Sequence, residues 1–247
     1  PISSGVGSSP IIRGGRVYVG GMDSRLYCLS ASDGSHKWTY PASSPIRSSP
    51  SAVYENNKWT IYFACAIGYV YGVIDTGSSY QEKWKVQLSP NLIYGSPTVM
   101  DSLLYIGSLD DTLYCLRTSN GTKKWKRYLS GDIYSSTAVY NNTVYVGSYS
   151  DTLYALNGTD GTILRRYKTC GDLAAPAFLT WTTGLLCIGS YVLPIAGLDT
   201  MYVVNSSNFN TYWKFADSGN LARVYTSCFS LDDQKVYFGS DNNYLYC

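Results

Sequence analysis

The chain has 247 residues, of which 45% are hydrophobic and 15% charged, with a formal net charge of +2. That balance excludes a disordered polyelectrolyte, leaves no basic footprint for nucleic acid, and includes no apolar run long enough for a membrane-spanning helix. Tyrosine is frequent, at 25 residues, and suits a half-buried pleated surface.

The predicted elements recur in chain order. The first unit runs from SSP at Ser8 through VYVGG at Val17 and LYCL at Leu26 to HKWTY around Trp38. The second has SSP at Ser48, a degenerate IYFAC at Ile61, VYGV at Val70 and EKWKV around Trp84. The third has GSP at Gly95, LYIGS at Leu104, LYCL at Leu113 and KKWKR around Trp125. The fourth has SST at Ser135, VYVGS at Val144 and LYAL at Leu153, with Arg165 where tryptophan is expected. The fifth has APA at Ala175, LCIGS at Leu186, MYVV at Met201 and YWKF around Trp213. The sixth has TSC at Thr226, VYFGS at Val236 and LYC at Leu245.

Each apolar segment alternates with period two, as a strand does. Turn signals separate them, including Gly14-Gly15, Asp33-Gly34, Asn56-Asn57, Asn120-Gly121, Asn141-Asn142 and Asp160-Gly161. No segment has sustained helical periodicity. Four short strands in each repeat of about 40 residues predict an all-β propeller of four-stranded blades. Residues 1–247 are expected to form one propeller domain. The chain starts after an outer strand and stops before one, which predicts an incomplete ring and a fragment of a longer chain.

This repeat resembles that of the PQQ-like, or quinoprotein alcohol dehydrogenase-like, propellers over all six copies. The resemblance implies that the first strand of each blade lines a central channel and the tryptophan strand lies outermost. The repeat glycine is then expected to permit close packing, and the tryptophan to lie between blades with its indole N–H on a backbone acceptor. Arg165 predicts a weaker or more polar contact between blades. Dehydrogenases of this family use an adjacent Cys-Cys pair, a tryptophan floor and Glu, Asn and Asp around calcium. Neither the Cys-Cys pair nor a calcium-type acidic cluster is present, so no cofactor, metal or catalytic residue is assigned. His36, the single histidine, falls in a turn, and no GxSxG elbow or Walker loop occurs.

Asp23, Asp110, Asp111, Asp151 and Asp241 fall between second and third strands and are expected to serve their own turns. The seven cysteines have no metal spacing and are expected to act as small buried hydrophobes. Lysine and arginine crowd the outer strands, where they guard an edge against strand addition or meet an acidic partner.

The remaining departures from the repeat are functional candidates. An insertion from Tyr191 to Thr200 offers Tyr191, Val192, Leu193, Pro194, Ile195 and Leu198 to a partner. Trp59 and Trp181 lie off the repeat position, in expected first-to-second connections, and join that set. Sequons at Asn120, Asn141, Asn157 and Asn205 are glycosylation candidates on one face. The expected function is a non-catalytic scaffold for a protein partner or larger complex, with a glycan as a further partner, in a secreted, lumenal or periplasmic setting. The alternatives are a quinoprotein dehydrogenase fragment and the lumenal sensor domain of a membrane receptor.

Overall fold

A computed structural model describes residues 4–179, 184–190, 199–216, 224, 235–240 and 242–247. Every element among them is a β-strand. The first blade is β1 (Ile11–Arg13), β2 (Arg16–Gly20), β3 (Arg25–Ser30) and β4 (His36–Pro41). The second is β5 (Ser51–Glu55), β6 (Lys58–Ala64), β7 (Tyr69–Asp75) and β8 (Tyr80–Gln87). The third is β9 (Thr98–Met100), β10 (Leu103–Ser108), β11 (Thr112–Arg117) and β12 (Lys123–Tyr128). The fourth is β13 (Ala138–Tyr140), β14 (Thr143–Ser148), β15 (Thr152–Asn157) and β16 (Ile163–Lys168). The fifth is β17 (Phe178–Leu179), β18 (Leu185–Gly189), β19 (Met201–Asn205) and β20 (Thr211–Phe215). Two further strands, β21 (Phe238–Gly239) and β22 (Leu245–Tyr246), pair with each other.

Strands follow chain order within every sheet, as the propeller repeat requires. In the first, second and fourth blades the first hairpin closes on residues that tolerate a left-handed backbone. Asn56 and Asn57 have φ of 50° and 61°, and Asn141 and Asn142 have 46° and 56°, the paired positive angles of a tight hairpin turn.

The chain divides into two compact units, residues 1–110 with 114–126 and residues 111–113 with 127–247. Within each, the apolar cores lie between neighbouring blades. In the first unit Tyr18, Trp38 and Tyr40 pack against Ile61, Phe63 and Tyr71, and Tyr62, Val70 and Trp84 pack against Leu104, Ile106 and Leu116. In the second, Tyr145 and Leu153 pack against Ile188, Tyr202 and Val204.

Strand alternation puts one apolar face of each sheet toward each neighbour, so no blade can bury its surface alone. The repeat glycine makes room for this packing. A Cβ on Gly20 would stand 2.3 Å from Ile46, and one on Gly147 would stand 2.5 Å from Leu173.

The second blade differs from the sequence expectation. Its extra residues lengthen β5 and β6 instead of forming a loop, so Trp59 sits within β6, opposite Tyr54. The two rings are 5.2 Å apart. The indole also covers the first blade's turn, where a Cβ on Gly14 would meet it at 2.3 Å. Trp59 is a packing residue between blades, and the connection reading is corrected.

Candidate functional site

Of the residues that depart from the repeat, Trp59 and Arg165 lie at junctions between blades. Where the first blade meets the second, the second the third and the fourth the fifth, a tyrosine of the second strand and the residue at the tryptophan position of the outer strand face the next blade's third-to-fourth turn. In four blades the tryptophan position lies opposite the same point of the third strand. Trp38 pairs with Cys28, Trp84 with Gly72, Arg165 with Ala155 and Trp213 with Val203. A register shift follows that pair in all four blades, and such a bulge re-aims the side chain beside it.

At the junction of the first and second blades the acceptor is the buried carboxylate of Asp75. It receives the Tyr18 hydroxyl at 2.6 Å, the Trp38 indole N–H at 3.1 Å and the Gly77 amide at 2.8 Å. The Arg16 guanidinium completes the set at 3.1 Å. A buried charge with this many donors is satisfied. Burial, reinforced by Asp75, raises the Tyr18 hydroxyl well above its ordinary value. Burial also pushes the Cys28 thiol up to about 11, which keeps it protonated and inert.

At the junction of the second and third blades the acceptor is a backbone carbonyl. Thr118 O receives the Trp84 indole N–H at 2.8 Å and the Tyr62 hydroxyl at 3.4 Å. The indole lies flat on the turn at Gly121, where a Cβ would come within 2.8 Å of the ring. Gly121 has φ of 73°, so its lack of a side chain serves both the backbone and the ring above it.

The junction of the fourth and fifth blades is built the other way round. Tyr145 still donates to the equivalent carbonyl, Ser206 O, at 3.3 Å. Arg165 replaces the indole, and its side chain is exposed. The turn glycine is replaced by Phe209. The Phe209 amide donates to Asn205 O at 2.8 Å, as Gly121 donates to Arg117 O at 2.9 Å and Gly161 to Asn157 O at 2.8 Å.

Phe209 keeps the left-handed backbone, with φ of 61°, a costly conformation for a bulky residue. Its ring is buried against Tyr145, with centroids 6.1 Å apart. The aromatic ring of this junction therefore comes from the turn and not from the outer strand. A cavity of about 190 Å³ remains, bordered by Tyr140, Tyr145, Leu164, Arg165 and Ser206.

The basic outer strands carry their charge over tyrosines of the third strand. Lys85 Nζ lies 4.8 Å from the Tyr69 ring centre, Lys123 Nζ 5.5 Å from Tyr114 and Arg166 Cζ 5.8 Å from Tyr154. These cations cover tyrosine faces of their own blades. Of the loop aspartates, Asp23 and Asp110 take the hydroxyls of Tyr27 and Tyr114 at 2.5 and 2.6 Å, a use the turn-former expectation missed. Asp111 and Asp151 sit in their turns at φ of 61° and 52°, with their carboxylates against Tyr128 and Asp172. Asp241 lies outside the described residues. Cys28, Cys65, Cys115 and Cys187 are buried, whereas Cys170 and Cys247 are exposed.

The sequons have a local explanation. Asn120 Oδ1 accepts the Thr122 amide at 3.1 Å, as Asp33 does for Ser35 at 3.0 Å and Asp160 for Thr162 at 2.8 Å. Asn157 and Asn205 accept the amides of Thr159 and Ser207 at 2.8 and 2.9 Å. Asn followed two residues later by Ser or Thr is what this turn selects. Asn141 lies in the β13–β14 turn. Tyr191, Val192, Leu193, Pro194, Ile195, Leu198 and Trp181 lie outside the described residues.

A pyrroloquinoline quinone would need a calcium cluster and an open tryptophan floor. No three His, Cys, Asp or Glu side chains gather among the described residues. Trp38 and Trp84, which could have offered a floor, are buried with their N–H groups engaged at Asp75 and Thr118.

Comparison with known proteins places this geometry. The family model described as outer membrane protein assembly factor BamB matches residues 1–83 and 73–208. The chain belongs to the BamB family of PQQ-like repeat propellers.

BamB from Moraxella catarrhalis superposes with a TM-score of 0.60 at 16% identity, over 98% of this chain and 84% of that one. The computationally designed Ika8 protein superposes at 0.78 with 14% identity, over 98% of this chain and 70% of that one. At those identities the likeness is one of fold. The beta-alanine-activating enzyme of Danio rerio is 31% identical over 104 residues, 40% of this chain and 9% of that protein. Its Homo sapiens counterpart is 26% identical over 112 residues, 44% of this chain and 10% of that protein. The chain thus aligns with about a tenth of the length of either enzyme.

In this BamB-family chain the junction residue hidden from motif reading is Phe209. Its signal was nonetheless present, since NSSNFN at 205–210 stands where the third repeat has RTSNGT at 117–122.

Proposed function

We propose that this BamB-family propeller is a non-catalytic binding scaffold for a protein partner within an extracytoplasmic assembly. The observation that carries the reading is the outer edge of the fifth blade. Among the described residues, Tyr212, Trp213 and Phe215 of β20 are 67%, 36% and 37% exposed. Beside β20 lies a cavity of about 430 Å³ that is also bordered by Phe238 and Tyr246. The last strand of a sheet beside an aromatic groove suits an extended apolar segment of a partner, added as a strand.

The test is a photo-crosslinking residue at Tyr212 of the full-length protein in its own cells. The expected result is one discrete adduct with another protein, lost when Trp213 becomes Lys. Adducts confined to the chain itself, or none, would remove this reading.

The insertion from Tyr191 to Thr200 is proposed as a second contact, on sequence grounds. Its deletion is expected to leave the thermal transition in place and to reduce the adduct. Glycans at Asn120, Asn141, Asn157 or Asn205 are a further proposal, checked by a mass decrease on glycosidase treatment.

A second reading makes the chain the propeller part of a longer β-alanine-activating protein. It is supported by the 31% identity to the Danio rerio enzyme, and failure of the full-length protein to turn over β-alanine would end it.

A further inference from the structure

We propose that the cavity between the fourth and fifth blades is a binding site for a small aromatic carboxylate. Size is the first argument. A dry cavity of about 150 Å³ accepts a benzene ring, and this one has about 190 Å³, room for one ring with small substituents.

Lining is the second. Tyr140, Tyr145 and Leu164 offer flat and aliphatic surface, and Arg165 stands at the edge with its side chain exposed. No described carboxylate pairs with Arg165. Its charge reaches the site nonetheless. Burial raises the Tyr145 hydroxyl, and Arg165 acts against that rise.

The third argument is an acceptor short of one donor. In the sister junction Thr118 O receives both an indole N–H and a tyrosine hydroxyl. Ser206 O, which borders the cavity, receives the Tyr145 hydroxyl but no indole. The site thus combines a flat slot, a cation that binds a planar carboxylate in a fork and a carbonyl for a ring-borne donor. A ring with a carboxylate at one end and a hydroxyl at the other satisfies all three. The site is independent of the partner groove at β20.

Titration of the folded protein with 4-hydroxybenzoate, followed by NMR shifts or calorimetry, tests the site. Saturable binding is expected, with shifts centred on Tyr140, Tyr145 and Leu164. Arg165→Ala should weaken it by about tenfold, in keeping with loss of a charge-assisted contact. Arg165→Lys should lose only a few-fold, because charge remains without the fork. Neutral 4-hydroxybenzamide should bind weakly to all three proteins. Arg165 is exposed, so unchanged thermal transitions are expected and confirm that the variants are folded. Equal affinity for acid and amide, no loss in Arg165→Ala, or no saturation at millimolar concentration would each overturn the proposal.

Discussion

At the junction of the second and third blades the aromatic ring descends from an outer strand onto a glycine turn. At the junction of the fourth and fifth blades it rises from the turn, and the outer strand contributes only an exposed arginine. Trp84 with Gly121 and Arg165 with Phe209 occupy the same two positions with the bulky residue exchanged. The tyrosine and its carbonyl acceptor, Tyr62 with Thr118 and Tyr145 with Ser206, are kept. The tyrosine contact therefore defines the junction's geometry, and which side supplies the ring is open to exchange. The first form lays a buried indole on a bare glycine turn. The second leaves a cavity with a charge beside it.

The two junctions should differ most in what their outer-strand residues contribute to stability. Trp84→Ala is expected to cost about 3–5 kcal/mol, the range for removing a large buried aromatic. Arg165→Ala should stay within about 0.5 kcal/mol, as for an exposed residue. Equilibrium denaturation of both variants decides it, and equal losses would show that the two positions do the same work.

Next comes the exchange itself. Arg165→Trp, if seated as Trp84 is, should collide with the Phe209 side chain where Trp84 meets bare Gly121, at about 1–3 kcal/mol, and Phe209→Gly should lose a buried ring. Together they recreate the arrangement at Trp84, so the double variant should be more stable than the sum of the two by about 1–3 kcal/mol. Simple additivity would show that the two positions are independent.

A smaller effect is expected from Gly121→Ala, about 1–2 kcal/mol for a side chain on a left-handed backbone. The nearby Trp84 ring leaves that methyl no relaxed position.

The last test is pH. Asp172 precedes the fifth blade where the third repeat has Leu92. Burial and the neighbouring Asp151 raise its carboxyl from 3.8 to about 6. The folded state then holds this proton more tightly than the unfolded chain does. Stability from this group is greatest below pH 3.8 and falls as pH rises through about 6. Asp172→Asn should therefore raise the melting temperature at pH 8 and change it little at pH 4, whereas the loss from Trp84→Ala should be the same at both.

Much of this architecture was legible in the repeat. Period-two alternation placed the strands, and Asn56-Asn57 and Asn141-Asn142 placed the hairpin turns, because those features act over a few residues. The inter-blade role of the tryptophan was legible too, and Trp84 meets it with a backbone acceptor. Trp38 departs by choosing the Asp75 carboxylate, since Asp75, Arg16 and Tyr18 meet only through the packing of separate repeats. Trp59 was misplaced because a lengthened hairpin and an inserted loop look alike until pairing is known. Phe209 escaped notice because the motif was anchored on its tryptophan, while the compensating residue stands in the following copy.

The placement of the cores has a consequence for descent. A repeat that duplicates as one stretch of sequence carries the tryptophan half of one junction and the glycine half of another. Every duplication or recombination between copies therefore brings together halves that need not match. The heritable unit of shape is the seam and not the blade, and a seam is written in two places. A change to Arg165 in one copy puts selection on position 209 in the next, so paired drift across neighbouring copies is the expected mark of this chain's history.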